Sequence, residues 1–286
     1  MKRILLQLDT DPHPSVFDRV VAIDAGVEEL FSYGGVTPEN VTPLVHGAMF
    51  TRGPGDLKDT ALFVGGSNVA AGEAVTAKVL KTFFGPMRVS LMMDSNGSNT
   101  TAAAAVLAAG KHLPLHGAQA VVLGGTGPVG QRAAQLLAVQ GAKVRVASRS
   151  QDRAEKTCDS IRSAVSGANL QAVAIDSDEA LRRACEGVSL IIAAGAAGVQ
   201  FLSAEQRRGI STLKVAIDLN AVPPLGLEGI EISDKAKERD GVVCYGAVGV
   251  GGTKMKIHRA AITRLFESND KVLDTAAIFK IGEGIT

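Results

Sequence analysis

Net charge is almost absent: 30 lysines and arginines face 29 aspartates and glutamates across 286 residues. A formal charge of +1 gives no global basic field of the kind that grips nucleic acid, so any anionic ligand has to be caught locally. Cysteine is equally sparse. Cys158, Cys185 and Cys244 are odd in number and form no CxxC pair, which excludes a disulfide or zinc framework and suits a reducing compartment. They read as small buried apolar residues. Long apolar runs are missing too. MKRILLQLDTD carries charge at both ends of a short apolar core, too short for a secretory signal or a membrane span, so a cytoplasmic protein with no membrane partner is expected. No HExxH or GxSxG occurs, and neither Tyr33 nor Tyr245 has a lysine four positions on. His13, His46, His112 and His116 lack metal-ligand spacing, so no metal is expected. No flavin is expected either.

What the chain does have is 46% hydrophobic residues and enough length for two cores. Short apolar runs at 3–8, 61–64 and 89–92, with helical stretches between them, predict a small α/β domain over 1–99, to which the segment 270–286 returns. The cap-rich stretch DSNGSNTTAAA marks the boundary, with a hinge at residues 96–100. Strand-like runs then recur at 120–123, 143–148, 170–175, 189–195, 213–220 and 242–247. This alternation predicts a Rossmann-type, doubly wound parallel sheet over 100–269, and a cleft between the two domains is expected to hold the substrate.

GGTGPVG gives the second domain its ligand. Gly125, Gly127 and Gly130 satisfy GxGxxG directly after a strand and before a helix, with Thr126, Pro128 and Val129 completing the loop. The first glycine permits the tight turn, the second lets backbone approach a pyrophosphate, and the third lets helix lie on strand. Pro128 suits an early helical position, where a missing N–H is not needed. NAD binding requires an acidic residue at the end of the next strand. The sequence there is Ala147, Ser148, Arg149, Ser150, with Arg153 four positions beyond Arg149, so NADP is expected ahead of NAD despite the neighbouring Asp152. Small residues Ala194, Gly195 and Ala196 would let the ribose and nicotinamide approach, and Asn220 could hydrogen-bond the carboxamide.

The runs QLDTDPHPSVFD (7–18), YGGVTPENV (33–41), FVGG (63–66), FFGPMRVSLMMDSNGSNTTAAA (83–104), GGTGPVG (124–130), DLNAVPPLGLEGI (218–230) and GAVGVGGTKMKIHRA (246–260) together resemble the NADP-dependent methylene-tetrahydromethanopterin dehydrogenases of methylotrophic bacteria. The resemblance covers nearly the whole chain. It implies hydride transfer from the methylene bridge of a reduced pterin to NADP, on the route from formaldehyde to carbon dioxide. Methylene-tetrahydrofolate is an alternative substrate. The wider folate dehydrogenase/cyclohydrolases use a Tyr-x-x-x-Lys that this chain lacks, which puts cyclohydrolase activity in doubt. The resemblance also suggests a homo-oligomer, with a trimer as one option. A different two-domain NADP dehydrogenase, of shikimate type, and a catalytically silent NADP sensor are the competing readings.

The same resemblance favours Lys254 as the active-site lysine, with Lys256 second. If a helix begins near Thr253, Lys254 and His258 share one face while Lys256 points about 160° away. For the pterin, Asp18 and the turn holding His13 sit where the first strand ends, and a carboxylate could bind the guanidine-like edge. Asn96, Ser98, Asn99 and Thr100 could bind substrate or cap the linking helix.

Overall fold

The computed structural model describes residues 1–285; Thr286, the last residue of the expected 270–286 return, lies outside them. The chain divides into two compact units, Met1–Thr100 with Met255–Ile285, and Thr101–Lys254. In the first, β1 (Ile4–Asp9), α1 (Val16–Asp24), β2 (Glu29–Tyr33), α2 (Thr42–Phe50), β3 (Thr60–Gly65), α3 (Val69–Thr82) and β4 (Ser90–Met93) follow one another. All strand pairs are parallel, with Ile4 opposite both Glu29 and Thr60, and Ala61 opposite Ser90. Apolar β1 and β3 run through the middle because helices cover both faces there. Leu6, Leu8, Leu62 and Val64 pack one face against Val45, Met49, Val75 and Val79. Burial of each such side chain contributes roughly 1.5–3 kcal/mol.

α4 (Ser98–Gly110) leaves this sheet. Ala102, Ala103, Ala104, Ala105 and Val106 are all fully buried, so consecutive positions around the helix have neighbours on every side. There is accordingly no polar face.

The second unit continues with β5 (Gln119–Leu123), α5 (Pro128–Val139), β6 (Lys143–Ser148), α6 (Gln151–Ala164), β7 (Asn169–Ala174), α7 (Asp178–Cys185), β8 (Leu190–Ala193), α8 (Ala204–Arg208), β9 (Val215–Asp218), β10 (Lys237–Arg239) and β11 (Val242–Tyr245). The seven strands lie in the order β10-β11-β9-β8-β5-β6-β7, parallel except for β10. Strand order therefore reverses at β5, between β6 and β8, which is the switch point where open α/β sheets take their ligands. β10 carries only Lys237, Glu238 and Arg239, a charged edge that discourages further strand pairing.

α9 (Ala247–Arg264) starts six residues before the expected Thr253. Two glycines at its start allow close packing. A Cβ on Gly249 would lie 1.7 Å from the Asp234 carbonyl oxygen, and one on Gly246 would lie 2.0 Å from that of Glu231. β12 (Val272–Leu273) then adds in parallel to β4, making the first sheet five-stranded in the order β12-β4-β3-β1-β2, and α10 (Thr275–Glu283) ends the fold. Among the described residues no helix is long and apolar enough to cross a membrane.

Candidate functional site

The turn after β5 shows which glycines the fold itself requires. Gly124 has φ +72°, and its Cβ would lie 2.7 Å from Gly195 Cα. A Cβ on Gly125 would meet Val146 Cγ1 at 2.8 Å, and one on Gly130 would meet the Gly124 oxygen at 2.4 Å. Each of these three lets backbone approach backbone or strand. Gly127 differs, since its Cβ would meet only the Gly124 and Ala194 oxygens, at 3.3 and 3.5 Å. The fold leaves room for a methyl there, so the open space above Gly127 is available to a ligand. Gly124 was passed over in the fingerprint, although the GG doublet was its signal.

Gly127 is the N-cap of α5, Pro128 its first residue, and the Gln131 N–H closes the first turn on the Gly127 oxygen at 2.9 Å. The N–H groups of Val129 and Gly130 then have no acceptor inside the helix, and with the helix dipole they form an anion-binding end. Gln131 Nε2 donates to the Thr126 oxygen at 2.9 Å, fixing the loop. Thr126 Oγ1 lies 3.4 Å from Ser148 Oγ at the end of β6. Ser148 is buried and accepts from the Ser150 N–H, and Ser150 caps α6 through the Arg153 N–H. Arg149 and Arg153 are exposed beside this turn, two cations next to hydroxyls at the end of the second strand, where the Rossmann fold in general meets the ribose. On the other side, Ala194 donates to the Leu123 oxygen at 2.9 Å, and the Gly195 backbone packs on Gly124; Ala196 is exposed beyond them. The cradle, the free N–H groups and the cations fit a dinucleotide carrying an extra phosphate.

Asn220 is engaged elsewhere. Its Nδ2 donates to the Pro224 oxygen and its Oδ1 accepts from the Val222 N–H, so both ends of the amide shape the turn after β9. Buried Asp218 anchors that turn through the N–H groups of Asn220 and Leu227. Burial pushes its carboxyl above the ordinary value, and those N–H groups oppose the shift.

In the first unit, the C-terminal edge of the sheet is pinned by carboxylates. Asp9 accepts from the N–H groups of Asp11 and Ser15, both at 2.9 Å, while Asp11 holds the N–H and hydroxyl of Ser67. Asp94 caps α4, accepting from the N–H groups of Asn99 and Thr100 and from the Thr100 hydroxyl at 2.6 Å. Asn99 donates to the Met93 oxygen and accepts from Thr275 Oγ1, each at 2.7 Å. Asn99 and Thr100 are thus buried in the first turn that Asp94 caps, and Ser98 is fully buried with them. Asn96 alone of the four is exposed, at φ +55°.

His13 is exposed in the loop after β1, and half-buried Asp18 follows in the first turn of α1. Its Oδ2 lies 3.6 Å from the point a Gly65 Cβ would occupy. Lys254 is half-buried, Lys256 exposed and His258 fully buried. The His258 ring stacks on Phe63, centroids 5.6 Å apart and planes at 21°, and lies 6.4 Å from Phe17. Phe17 itself is half exposed in the first turn of α1. Among the described residues no group of three or more His, Cys, Asp or Glu is placed to hold a metal ion.

The strand order and glycine turn define a Rossmann-type dinucleotide-binding fold within a two-domain α/β architecture. Solved structures agree on this fold. Shikimate 5-dehydrogenase from Listeria monocytogenes is 15% identical, with a TM-score of 0.53 over 98% of this chain and 96% of that one. Quinate dehydrogenase from Corynebacterium glutamicum is 14% identical, with a TM-score of 0.51 over 99% of both. Residues 16–96 match the family described as methylene-tetrahydromethanopterin dehydrogenase, N-terminal. The chain is 45% identical to "Bifunctional protein MdtA" of Methylorubrum extorquens strain AM1, over 99% of this chain and 98% of that protein. It is 33% identical to the NAD(P)-dependent methylenetetrahydromethanopterin dehydrogenase of the same organism, over 98% and 97%. The chain belongs to the methylene-tetrahydromethanopterin dehydrogenase family.

Proposed function

We propose that this protein is an oxidoreductase that removes hydride from the methylene carbon of methylene-tetrahydromethanopterin and passes it to NADP. The observation that carries the reading is the end-to-end similarity to a relative named for that reaction. The glycine turn supports it: Val129 and Gly130 N–H groups hold the pyrophosphate, Gly127 gives it room, and Ala194, Gly195 and Ala196 wall the cradle. Ser148, Arg149 and Arg153 select NADP over NAD through the extra phosphate. When bound, the nicotinamide supplies the hydride acceptor.

The first unit binds the pterin. Asp18 holds its guanidine-like edge, with His13 and Asn96 exposed nearby along the same sheet edge. Losing hydride leaves an amidinium-like cation shared by two ring nitrogens, so the substrate supplies its own stabilisation and needs no proton relay. The protein's work is orientation and exclusion of water. An ammonium close to that cation would oppose the reaction, so Lys254, with Lys256 second to it, acts by hydrogen-bonding a pterin carbonyl. We place the enzyme in the cytoplasm as a homo-oligomer.

Anaerobic absorbance at the methenyl-pterin band tests the reading, with methylene-tetrahydromethanopterin or methylene-tetrahydrofolate and NADP or NAD in each combination. Turnover with the first pterin and NADP is expected, and Arg149→Ala should raise the KM for NADP about tenfold or more while sparing NAD. No turnover in any combination would remove the proposed function.

A further inference from the structure

The segment after β8 reads Ala194, Gly195, Ala196, Ala197, Gly198, with no side chain larger than a methyl. Such a run has nothing of its own with which to fix its height above the sheet. Yet it leaves β8 beside β5, at the switch point where open α/β sheets take their ligands. A side chain from further along the chain supplies the support. The Gly195 backbone packs on Gly124, and a Cβ on Gly195 would enter the ring of Phe201, 2.5 Å from Cε2 and 2.6 Å from Cζ. Gly195 is therefore gripped between the Gly124 turn and an aromatic edge.

Phe201 is itself held in place. It is half-buried against the core that contains Leu202 and Leu227, and its N–H donates to the Gly226 oxygen at 2.8 Å. Leu202 bridges to Leu227, whose N–H is bound at 2.8 Å by the buried carboxylate of Asp218 at the end of β9. The ring is thus tied to the sheet on one side and to Gly195 on the other. Across the cradle, the Ala194 and Gly124 oxygens both border the space above Gly127, so the loop and the glycine turn enclose the same volume. We infer that Phe201 is a positioning residue for the dinucleotide: its ring braces Gly195 against Gly124 and so fixes the spacing between the β8 loop and the glycine turn. The inference rests on the NADP reading above. Glycine at position 195 serves this brace, because the methyl of an alanine there would go to the ring and not to the ligand.

The test uses the full-length protein, with the Kd for NADPH from fluorescence titration, KM for methylene-tetrahydromethanopterin and melting temperature as readouts. Phe201→Leu keeps an apolar side chain but withdraws the edge that touches Gly195. The Kd for NADPH should rise about tenfold while the pterin KM stays within about twofold, since a misplacement of about 1 Å can cost on the order of 100-fold where geometry matters. Gly195→Ala should also weaken NADPH, by driving ring and loop apart. Phe201→Leu makes room for the Gly195→Ala methyl, so the double variant should bind NADPH at least about threefold more tightly than the two single losses multiplied together. A Phe201→Leu protein with a lower melting temperature but the NADPH affinity of the wild type would make the ring a core residue only and overturn the brace. Losses that simply multiply in the double variant would overturn it as well. If Phe201→Leu does not fold, Phe201→Met enters the same comparison with the same two refutations. A wild-type protein that bound neither NADPH nor NADH would bring down the dinucleotide site and the brace together. Binding of NADPH without turnover of any methylene-pterin would remove only the proposed reaction, and the Kd comparison would still decide on the brace.

Discussion

Gly127 and Gly130 are three residues apart in one turn, and alanine should act on them in opposite ways. At Gly130 the new methyl would lie 2.4 Å from the Gly124 oxygen and 2.9 Å from Gly125 Cα, both backbone atoms that cannot swing away. Overpacking of that kind costs about 1–3 kcal/mol, and the better helix propensity of alanine returns at most about 1. A net loss of roughly 1–2 kcal/mol corresponds to a melting temperature lower by about 2–8 °C. At Gly127, φ −79° and ψ 166° suit any residue, and the contacts at 3.3 and 3.5 Å need only slight adjustment. Stability should therefore change by less than about 1 kcal/mol. Binding should change far more, because the methyl occupies the space through which phosphate oxygens reach the Val129 and Gly130 N–H groups. A hydrogen bond to a charged group is worth about 1.5–3 kcal/mol, so losing one weakens the dinucleotide about 10- to 150-fold. Titration calorimetry with NADPH and thermal unfolding separate the two effects. If Gly127→Ala bound NADPH as tightly as the wild type, the assignment of that space to the pyrophosphate would be refuted.

Three further outcomes follow from the geometry. Asn99→Ala leaves the Met93 oxygen and Thr275 hydroxyl without their partner, so it should lower stability by about 2–4 kcal/mol in denaturant titration. An equally stable variant with a raised pterin KM would mean that Asn99 binds substrate instead. Thiol reagents at pH 7.5 should find no reactive cysteine in the native chain and three in denaturant, since burial pushes Cys185 and Cys244 up to about 11 and also raises Cys158. Prompt labelling of the folded protein would contradict the packing. Asp218 has a raised carboxyl, so the native state holds its proton to higher pH than the unfolded chain does. Its contribution to stability is therefore greatest below the unfolded value and falls as pH rises through the folded one. Asp218→Asn should flatten that part of the pH–stability curve, and an unchanged slope would exclude it.

The second sheet was legible because buried parallel strands are written as unbroken apolar runs ended by small residues, as in AVVLGG and LIIAAG. β2 and α2 were not. ELFSY is a half-exposed edge strand with no clean alternation, and TPLVHGAMF is short and apolar all round. α9 was placed late because glycine weakens a helix in isolation, while here tertiary contacts at Gly246 and Gly249 demand it. Residues 96–100 show a further limit. Asn, Ser and Thr serve equally as caps and as ligand contacts, and only the position of Asp94 reveals that it is the cap and that Asn99 and Thr100 are the residues it holds.

The alanines of α4 leave that helix with one-sided mutational freedom. A packed leucine can be trimmed and refilled by its neighbours, but an alanine enclosed all round offers nothing to trim except its methyl. Substitution of Ala102, Ala103, Ala104 or Ala105 by glycine loses about 1 kcal/mol of helix propensity, whereas every larger residue needs volume that is already filled. Sequence drift along this stretch is therefore blocked in the direction in which most random codon changes from alanine lead.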